Sequence, residues 1–497
     1  MAVTAPENNL SPAPPAGWAS LLKAAEIIRQ ACRDKRYVTI WGHDDLDGIA
    51  STAIMMDALG GKARTGYYIP PKHGLHYGLD VRILDKLAAD GTGLIITVDG
   101  GISNYTEAEY CREKGLLLII TDHHELPSRL PPAEAVVNPK ITEAGAPYAN
   151  LCGAGVALHL AAALEGLKGE GWHLKYPRRL AWAALATVSD RVPLLDDNRI
   201  IIKAGLESIS RDPVLTRLAD LLDFDLSRGL SPNILQNTYL PLFSTSQSLG
   251  NLHPMVELLT GNIDEPRVRD LWQRQVKWRL RFDQELRQKL ADLGTAQAGI
   301  IVAIDDNLPG DMIGPLAGGI RDSLRLPAVV IGRKGGAWVG EARGHLPFDL
   351  VEMLSGLKEH FLQYGGHKQA AGFTLKAGSP DGLAAEITRY AAAHRDLILG
   401  SRPEAKFDYH FDGLRQLREK APAILEKGPY GAGNPRPNCL INNIRWPGTL
   451  EPEQTLWLDE LPEHQAPGLS DPAGISVTLD TTSTGKVSLS INKPQSI

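Results

Sequence analysis

The sequence predicts a multidomain α/β protein. The expected parts are a domain on a mainly parallel sheet, a long connecting helix, a smaller α/β domain and a small β-rich C-terminal domain. Three observations predict it. Short apolar runs alternate with helix-like stretches over the first part of the chain, the pattern of βαβ units with a buried parallel sheet. A long stretch without glycine follows, apolar on one face. The chain closes on alternating runs. With 497 residues it is too long for one hydrophobic core, so two to four domains are expected.

Taken in order, residues 1–17 are rich in Pro, Ala and Asn, with neither a basic start nor an apolar centre. They read as a disordered tail rather than a signal peptide. The first α/β domain is expected over 18–260. Trp18 to Lys35 has helical spacing, and strand-like runs lie at Tyr37–Trp41, Leu94–Val98, Leu116–Thr121 and Ala135–Val137. Ala-rich Gly153–Leu164 and Arg179–Val188 fit helices packed on that sheet. Residues 261–295 hold the connecting helix, with Pro266 allowed at its start. Val268, Trp272, Val276 and Leu280 recur at i+4 there, and from Glu265 to Leu293 eight basic residues stand against five acidic ones. A solvated linking helix is the plainer reading than one that reads DNA. The smaller α/β domain spans 296–400, with strands at Gly299–Ile304, Ala328–Ile331 and Ala337–Gly340. Residues 401–497 read as the β-rich domain, with runs at Ile475–Leu479 and Val487–Ile491.

Composition excludes several classes. The 43% hydrophobic and 22% charged residues are ordinary for a globular protein, and no apolar stretch is long enough to span a bilayer. Four scattered cysteines without a CxxC pair make neither a disulfide framework nor a zinc site, and suit a reducing cytoplasm. A formal charge of −6 gives no global attraction to nucleic acid, so phosphate binding must come from local basic groups or metals.

The carboxylates and histidines fall in four clusters. Asp45 and Asp47 follow the first strand in GHDDLDG, and Asp99 follows LIITV in VDGG. Asp122, His123 and His124 follow LLLIIT, and Asp190 closes LATVSD. Three clusters sit just past a strand's C-terminal end, where open α/β sheets bind ligands. Asp45 and Asp47, as alternate residues of an extended loop, can aim at one point. A lone Asp after a strand is usually a turn former or helix cap. Four such clusters are much harder to obtain from turn chemistry. Packed carboxylates repel unless cations stand between them, and oxygen-rich sets with one or two imidazoles suit Mn²⁺ or Mg²⁺ better than zinc.

GHDDLDG, VDGG, TDHHE and ATVSDRVPL resemble the four motifs of the DHH phosphoesterase superfamily. LCGAGVA and DNRIIIKAGL are similar to connecting segments of its RecJ branch, the single-strand-specific DNA exonucleases. GPLAGGIRD, GEARG and YGGHKQAAGF resemble that branch's DHHA1 domain, and PYGAGNPRP resembles its junction to a nucleic-acid-binding, OB-like β domain. The resemblance covers roughly Lys35 to Pro437. It implies a DHH domain, a DHHA1 domain and two ions, Mn²⁺ or Mg²⁺. Asp45 and Asp99 would hold one ion, and Asp47, Asp99, His123 and Asp190 the other. His124 would face the scissile phosphate, and His367 after Gly365 and Gly366 would bind a phosphate or the nucleotide. His43 stands where the branch more often has Asp, as a further ligand or a group that orients one.

Some positions depart from the family. Lys72, in PPKHGLHYGL, stands where members usually carry Arg, keeping the charge but losing the bidentate fork. Ser248 stands where another Arg would be. Arg343 is kept, but Glu341 replaces a small Ser in GEARG and would repel a nearby phosphate unless turned away. Residues 441–497 hold seven acidic and three basic residues, opposite to a single-strand-binding groove.

The resemblance implies a metal-dependent 5′-to-3′ exonuclease on single-stranded DNA, acting in repair or recombination, because a narrow cleft between two domains admits one strand and not a duplex. Lys72 and Arg343 would grip phosphates. The rival is a DHH/DHHA1 phosphodiesterase on short oligonucleotides or cyclic dinucleotides. A non-catalytic scaffold predicts eroded ligands, yet all five core ligands are present. No membrane partner is expected, and protein partners are not legible.

Overall fold

The structure is a computed structural model. It describes residues 11–13, 15–71, 78–141, 146–244, 252–261, 265–292, 299–310, 312–334, 336–345, 347–376, 380–400, 407–442, 455–458, 461 and 475–491. The chain divides into two compact units, Met1–Gln273 with Phe407–Ile497, and Arg274–Lys406.

In the first unit, β1 (Tyr37–Trp41), β2 (Thr65–Tyr68), β3 (Thr92–Thr97), β4 (Leu117–Thr121) and β5 (Ala135–Val137) form an all-parallel sheet, ordered β2-β1-β3-β4-β5. Helices α1 (Ala19–Arg33), α2 (Leu46–Leu59), α3 (Val81–Ala89) and α4 (Tyr105–Glu113) precede or link the first four strands. The chain runs outward from β1 to β2, then crosses to β3 on the other side of β1. That reversal opens a crevice at the strand ends, the usual ligand position of such sheets. The predicted strands are there within a residue or two. β2 was not foreseen, because TGYY is short and half polar.

α5 (Gly153–Leu164) and α6 (Pro177–Ser189) are buried nearly all round, which is why their sequences lack a polar face. Next come α7 (Asp196–Ile209), α8 (Pro213–Leu221), α9 (Pro232–Asn237), α10 (Tyr239–Ser244) and α11 (Pro254–Thr260). The fully buried Trp18, Ile40, Ile54, Trp182 and Tyr239 belong to this core. Each such side chain contributes roughly 1.5–3 kcal/mol relative to exposure.

The expectation of a disordered tail needs correction for residues 11–13 and 15–17. Ala13 N–H donates to both carboxylate oxygens of buried Asp197 at 3.1 Å, and the Trp172 indole donates to Pro12 O at 3.0 Å. Pro15–Gly17 forms a 3₁₀ turn. A Pro/Ala-rich composition concealed a segment held by its backbone groups.

α12 (Glu265–Asp292) begins in the first unit and ends in the second. In the second unit, β6 (Ile301–Ile304), β7 (Ala328–Lys334), β8 (Ala337–Arg343), β9 (Phe361–His367) and β10 (Ala370–Leu375) are ordered β6-β7-β8-β10-β9. Only β6–β7 is parallel. GGHKQAAGF is the β9–β10 hairpin, pairing His367 with Ala370 and Gly366 with Ala371. α13 (Ile313–Leu324), α14 (Leu350–Gly356), α15 (Pro380–Ala393) and α16 (Arg395–Gly400) complete it.

The C-terminal segment was expected to stand as its own domain, but it groups with the first unit. It carries α17 (Gly413–Leu425) and a sheet of β11 (Tyr409–Asp412), β12 (Asn438–Asn442), β13 (Thr455–Trp457), β14 (Ile475–Thr481) and β15 (Val487–Ile491). Buried Ser231 Oγ donates to Asp480 Oδ2 at 2.6 Å, and Ser483 N–H donates to Leu230 O at 2.7 Å. Leu194 N–H donates to Ala432 O at 2.7 Å. Arg199 donates to the carbonyls of Lys427 and Glu426 at 2.8 and 3.0 Å.

Candidate metal centre

The site forms where β1, β3 and β4 end and α2, α5 and α6 begin or finish. Asp45 caps α2, its Oδ1 accepting from Gly48 N–H at 3.0 Å, and Asp47 lies in the first turn of that helix. The expected extended loop is therefore corrected: helix geometry sends the two carboxylates to different partners. Asp45 Oδ2 meets His43 Nδ1 at 2.9 Å. Asp47 turns to the start of α5, accepting from Gly153 N–H at 2.6 Å and Ala154 N–H at 2.7 Å. Two free amides and the positive end of a helix dipole suit a carboxylate.

Asp99 follows β3 in the left-handed region, with φ 56°. Asp tolerates that conformation better than most residues, and strained backbone of this kind tends to persist at functional sites. Around it, Thr97 Oγ1 donates to Gly100 O and Thr121 Oγ1 to Thr97 O, both at 2.7 Å. Asp99 Oδ1 lies 3.1 Å from His123 Nε2, and Asp99 Oδ2 lies 3.8 Å from His43 Nδ1. His123 Nε2 is also 3.5 Å from Asp47 and 3.7 Å from Asp190, the residue that ends α6. Three overlapping triples result: His43, Asp45 and Asp99; Asp47, His123 and Asp190; Asp99, His123 and His124. Within each, candidate ligand atoms lie within 4.8 Å of one another.

Asp122, named in the sequence pattern but given no role, organises the site. It is buried, and its Oδ1 accepts from the His123 and His124 backbone N–H at 2.7 and 3.0 Å and from His124 Nδ1 at 2.8 Å. Its Oδ2 accepts from Ile102 N–H at 2.9 Å, tying the segment after β3 to the one after β4. Asn138, fully buried, donates to His124 O at 3.0 Å. His124 itself is 59% exposed, facing outward beside the buried His123.

The electrostatics set these groups apart. Burial and then the neighbouring carboxylates of Asp47 and Asp45 push Asp99 well above the usual range. Burial raises Asp47 as well. Burial, with Asp47 and Asp45 behind it, lifts Asp190 to about 7. Partial burial raises Asp45 too, but the His43 hydrogen bond and charge outweigh it and bring the carboxyl to about 2. Burial lowers His123, whereas the Asp122 hydrogen bond raises His124. Three carboxylates thus resist ionising together, as they do when no positive charge separates them.

Two buried atoms add a sharper observation. Asp99 Oδ1 and His123 Nε2 face each other, and neither makes a hydrogen bond among the described residues. Buried polar atoms are normally satisfied, and a cation liganded by both would satisfy them. The donor set of oxygens with few imidazoles fits Mn²⁺ or Mg²⁺. Outside this centre, Glu359, His360 and Glu386 form a further triple on the surface of the second unit.

The expected substrate residues are less assembled. Lys72 and Ser248 lie outside the described residues. Arg343 is on β8, where its Nη1 donates to Glu341 Oε2 and to Ala342 O, both at 2.9 Å. Glu341 is thus turned onto the arginine. Gly365, Gly366 and His367 end β9, and Gly366 has φ 137°, a conformation that excludes most side chains. Cys111, Cys152 and Cys439 are buried, and all four cysteines are free thiols. No described helix is long and apolar enough to cross a membrane.

Residues 37–187 match the model of the DHH family, N-terminal domain. The chain is 31% identical to the single-stranded-DNA-specific exonuclease RecJ of Bacillus subtilis, over 85% of this chain and 54% of that protein. It is 30% identical to the RecJ of Dickeya dadantii, over 84% of this chain and 77% of that one. The crystal structure of an exonuclease RecJ bound to manganese superposes with a TM-score of 0.62 at 26% identity, covering 77% of this chain and 96% of that one. The chain thus spans about half the length of the Bacillus relative and about three quarters of the Dickeya one.

Proposed function

Because this chain belongs to the family of the RecJ single-stranded-DNA-specific exonucleases, we propose that it is a metal-dependent exonuclease on single-stranded DNA. The observation that carries the reading is the centre at the strand ends, with four carboxylates and three imidazoles in overlapping triples. Asp45 and Asp99, with His43, would hold one ion. Asp47, Asp99, His123 and Asp190 would hold the other, with Asp99 shared. When bound, two Mn²⁺ or Mg²⁺ ions activate a water and stabilise the leaving oxygen of an in-line displacement.

The chain's own residues supply the rest. The α5 amides hold Asp47 in place, so its carboxylate stays fixed whether or not it is charged. Asp122 holds His124 by Nδ1 and keeps it basic, leaving Nε2 to donate to a phosphate oxygen. In the second unit, Arg343 and the glycines before His367 contact substrate phosphate, and the strand is consumed from its 5′ end. The four free cysteines suit a reducing cytoplasm, and repair or recombination of DNA is the setting. The relatives give no support to the rival reading of a phosphodiesterase on short oligonucleotides.

The test compares long single strands, duplexes and dinucleotides, labelled at either end, in Mn²⁺. Mononucleotide release from the 5′ end of single strands supports the reading, and shortening from the 3′ end or cleavage of dinucleotides alone overturns it. Asp99→Ala takes charge from both proposed ion sites and is expected to abolish hydrolysis in a folded protein. Retention of most activity would remove Asp99 from the shared position.

A further inference from the structure

We propose that His253 is a positioning residue for the metal-binding segment 43–47, acting through Asp44; this rests on the metal reading above. Asp44 stands between His43 and Asp45, whose side chains meet at 2.9 Å on the site side. Its own side chain is buried and turns the other way, where Oδ1 lies 3.0 Å from Nε2 of the fully buried His253.

The surrounding bonds decide which ring nitrogen carries the proton. His253 caps α11, its Nδ1 accepting from Met255 N–H at 3.2 Å. Nδ1 is therefore the acceptor, and Nε2–H donates to Asp44. The ring is anchored further, because His253 N–H donates to Tyr67 Oη at 2.9 Å and Tyr67 donates to Glu257 Oε1 at 2.7 Å. A carboxylate within the metal-binding segment is thus held by a residue 209 positions away, on an element that supplies no candidate ligand.

The segment has little room to absorb a shift of Asp44. A Cβ on Gly42 would stand 2.2 Å from Thr52 Oγ1 and 2.9 Å from Ile69 Cγ1, and one on Gly48 would stand 2.5 Å from His43 Cβ. The backbone on both sides of Asp44 is packed against its neighbours. Movement at Asp44 therefore passes to His43 and Asp45. Groups that orient metal ligands typically change metal affinity about 10–100-fold when removed.

Two substitutions separate the roles of the ring. His253→Asn keeps an acceptor at the Nδ1 position, and so the cap, but does not reach Asp44. His253→Gln places an amide N–H at the Nε2 position, and so keeps the tie, but gives up the cap. Mn²⁺ alone is titrated into each full-length protein, with free Mn²⁺ counted by electron paramagnetic resonance and Tm measured on the same sample. His253→Asn is expected to bind Mn²⁺ about tenfold or more weakly, while His253→Gln stays within about threefold of wild type despite a lower Tm. Asp44→Ala cuts the tie from the other end without touching the cap, and decides the matter if the Asn variant does not fold. Equal affinities for the Asn and Gln variants, or a loss that follows Tm across all three, overturn the proposal. A wild-type protein that binds no Mn²⁺ overturns the metal reading itself.

Discussion

Gly153 packs against Asp99 with no room for a side chain, and Gly153→Ala should damage metal binding more than it damages the fold. A Cβ there would stand 2.6 Å from Asp99 Cβ, 2.8 Å from its Oδ1 and 2.9 Å from its Cα. Carbon atoms in contact prefer about 3.5–4 Å, so roughly 1 Å of separation must be found. Neither side gives easily. Asp99 is already left-handed at φ 56°, and the Gly153 and Ala154 amides are both committed to Asp47. Moving the helix lengthens those two bonds, and moving Asp99 displaces the carboxylate common to two triples. Overpacking of this kind costs about 1–3 kcal/mol, and a 1 Å misplacement at a reacting centre costs about 100-fold in rate. The expected result is about 100-fold slower degradation of single strands, weaker Mn²⁺ binding and a modest fall in Tm. Gly100→Ala is the control for metal binding, since a Cβ there meets nothing within 4 Å beyond its own chain neighbours. Wild-type activity in Gly153→Ala, or equal loss of Mn²⁺ binding in Gly100→Ala, would refute the steric argument.

Two further outcomes are expected. Asp190 is pushed up to about 7, so the folded, metal-free protein holds that proton more tightly than the unfolded chain, and its stability falls as pH rises from the ordinary carboxylate range through 7. Asp190→Asn removes that loss, so its Tm relative to wild type should climb between pH 5.5 and 8; a flat difference would mean that Asp190 ionises normally. On β8, Glu341 is paired with Arg343 and competes with any phosphate for it. Glu341→Ser should therefore raise the preference for a 5′-phosphate over a 5′-hydroxyl, measured as a ratio of rates, and an unchanged ratio would place the terminal phosphate elsewhere.

Much of the centre was legible because carboxylates after buried strands leave a linear trace. β1, β3 and β4 are apolar runs whose ends are marked by Asp45, Asp99 and Asp122, and parallel strands carry such ends to one edge. What was misread turns on backbone and distance. Asp45 and Asp47 look like alternate residues of a loop, yet capping converts the segment into the first turn of a helix. Residues 11–13 have a disordered composition, but the backbone groups of Pro12 and Ala13 find Trp172 and Asp197. The β9–β10 hairpin is rich in glycine, and β9 carries none of the β-branched residues that announce a strand. Asp44 and His253 lie too far apart in sequence for spacing to join them.

The bonds between the stretch after Asp190 and the turn near Ala432 carry a consequence for synthesis. Arg199 waits for carbonyls 228 and 227 residues downstream, and Leu194 for Ala432. At translation rates of about 5–20 residues per second, that wait lasts roughly 10–50 s. In that interval the parallel sheet can fold on the ribosome, while the stretch that follows Asp190 still lacks these partners. A nascent chain would then carry the stretch after Asp190 untied until the turn near Ala432 emerges. Ribosome-bound chains stalled ahead of Tyr430 should resist proteolysis over β1–β5 yet be cut near Leu194, and protection at both places would remove the delay.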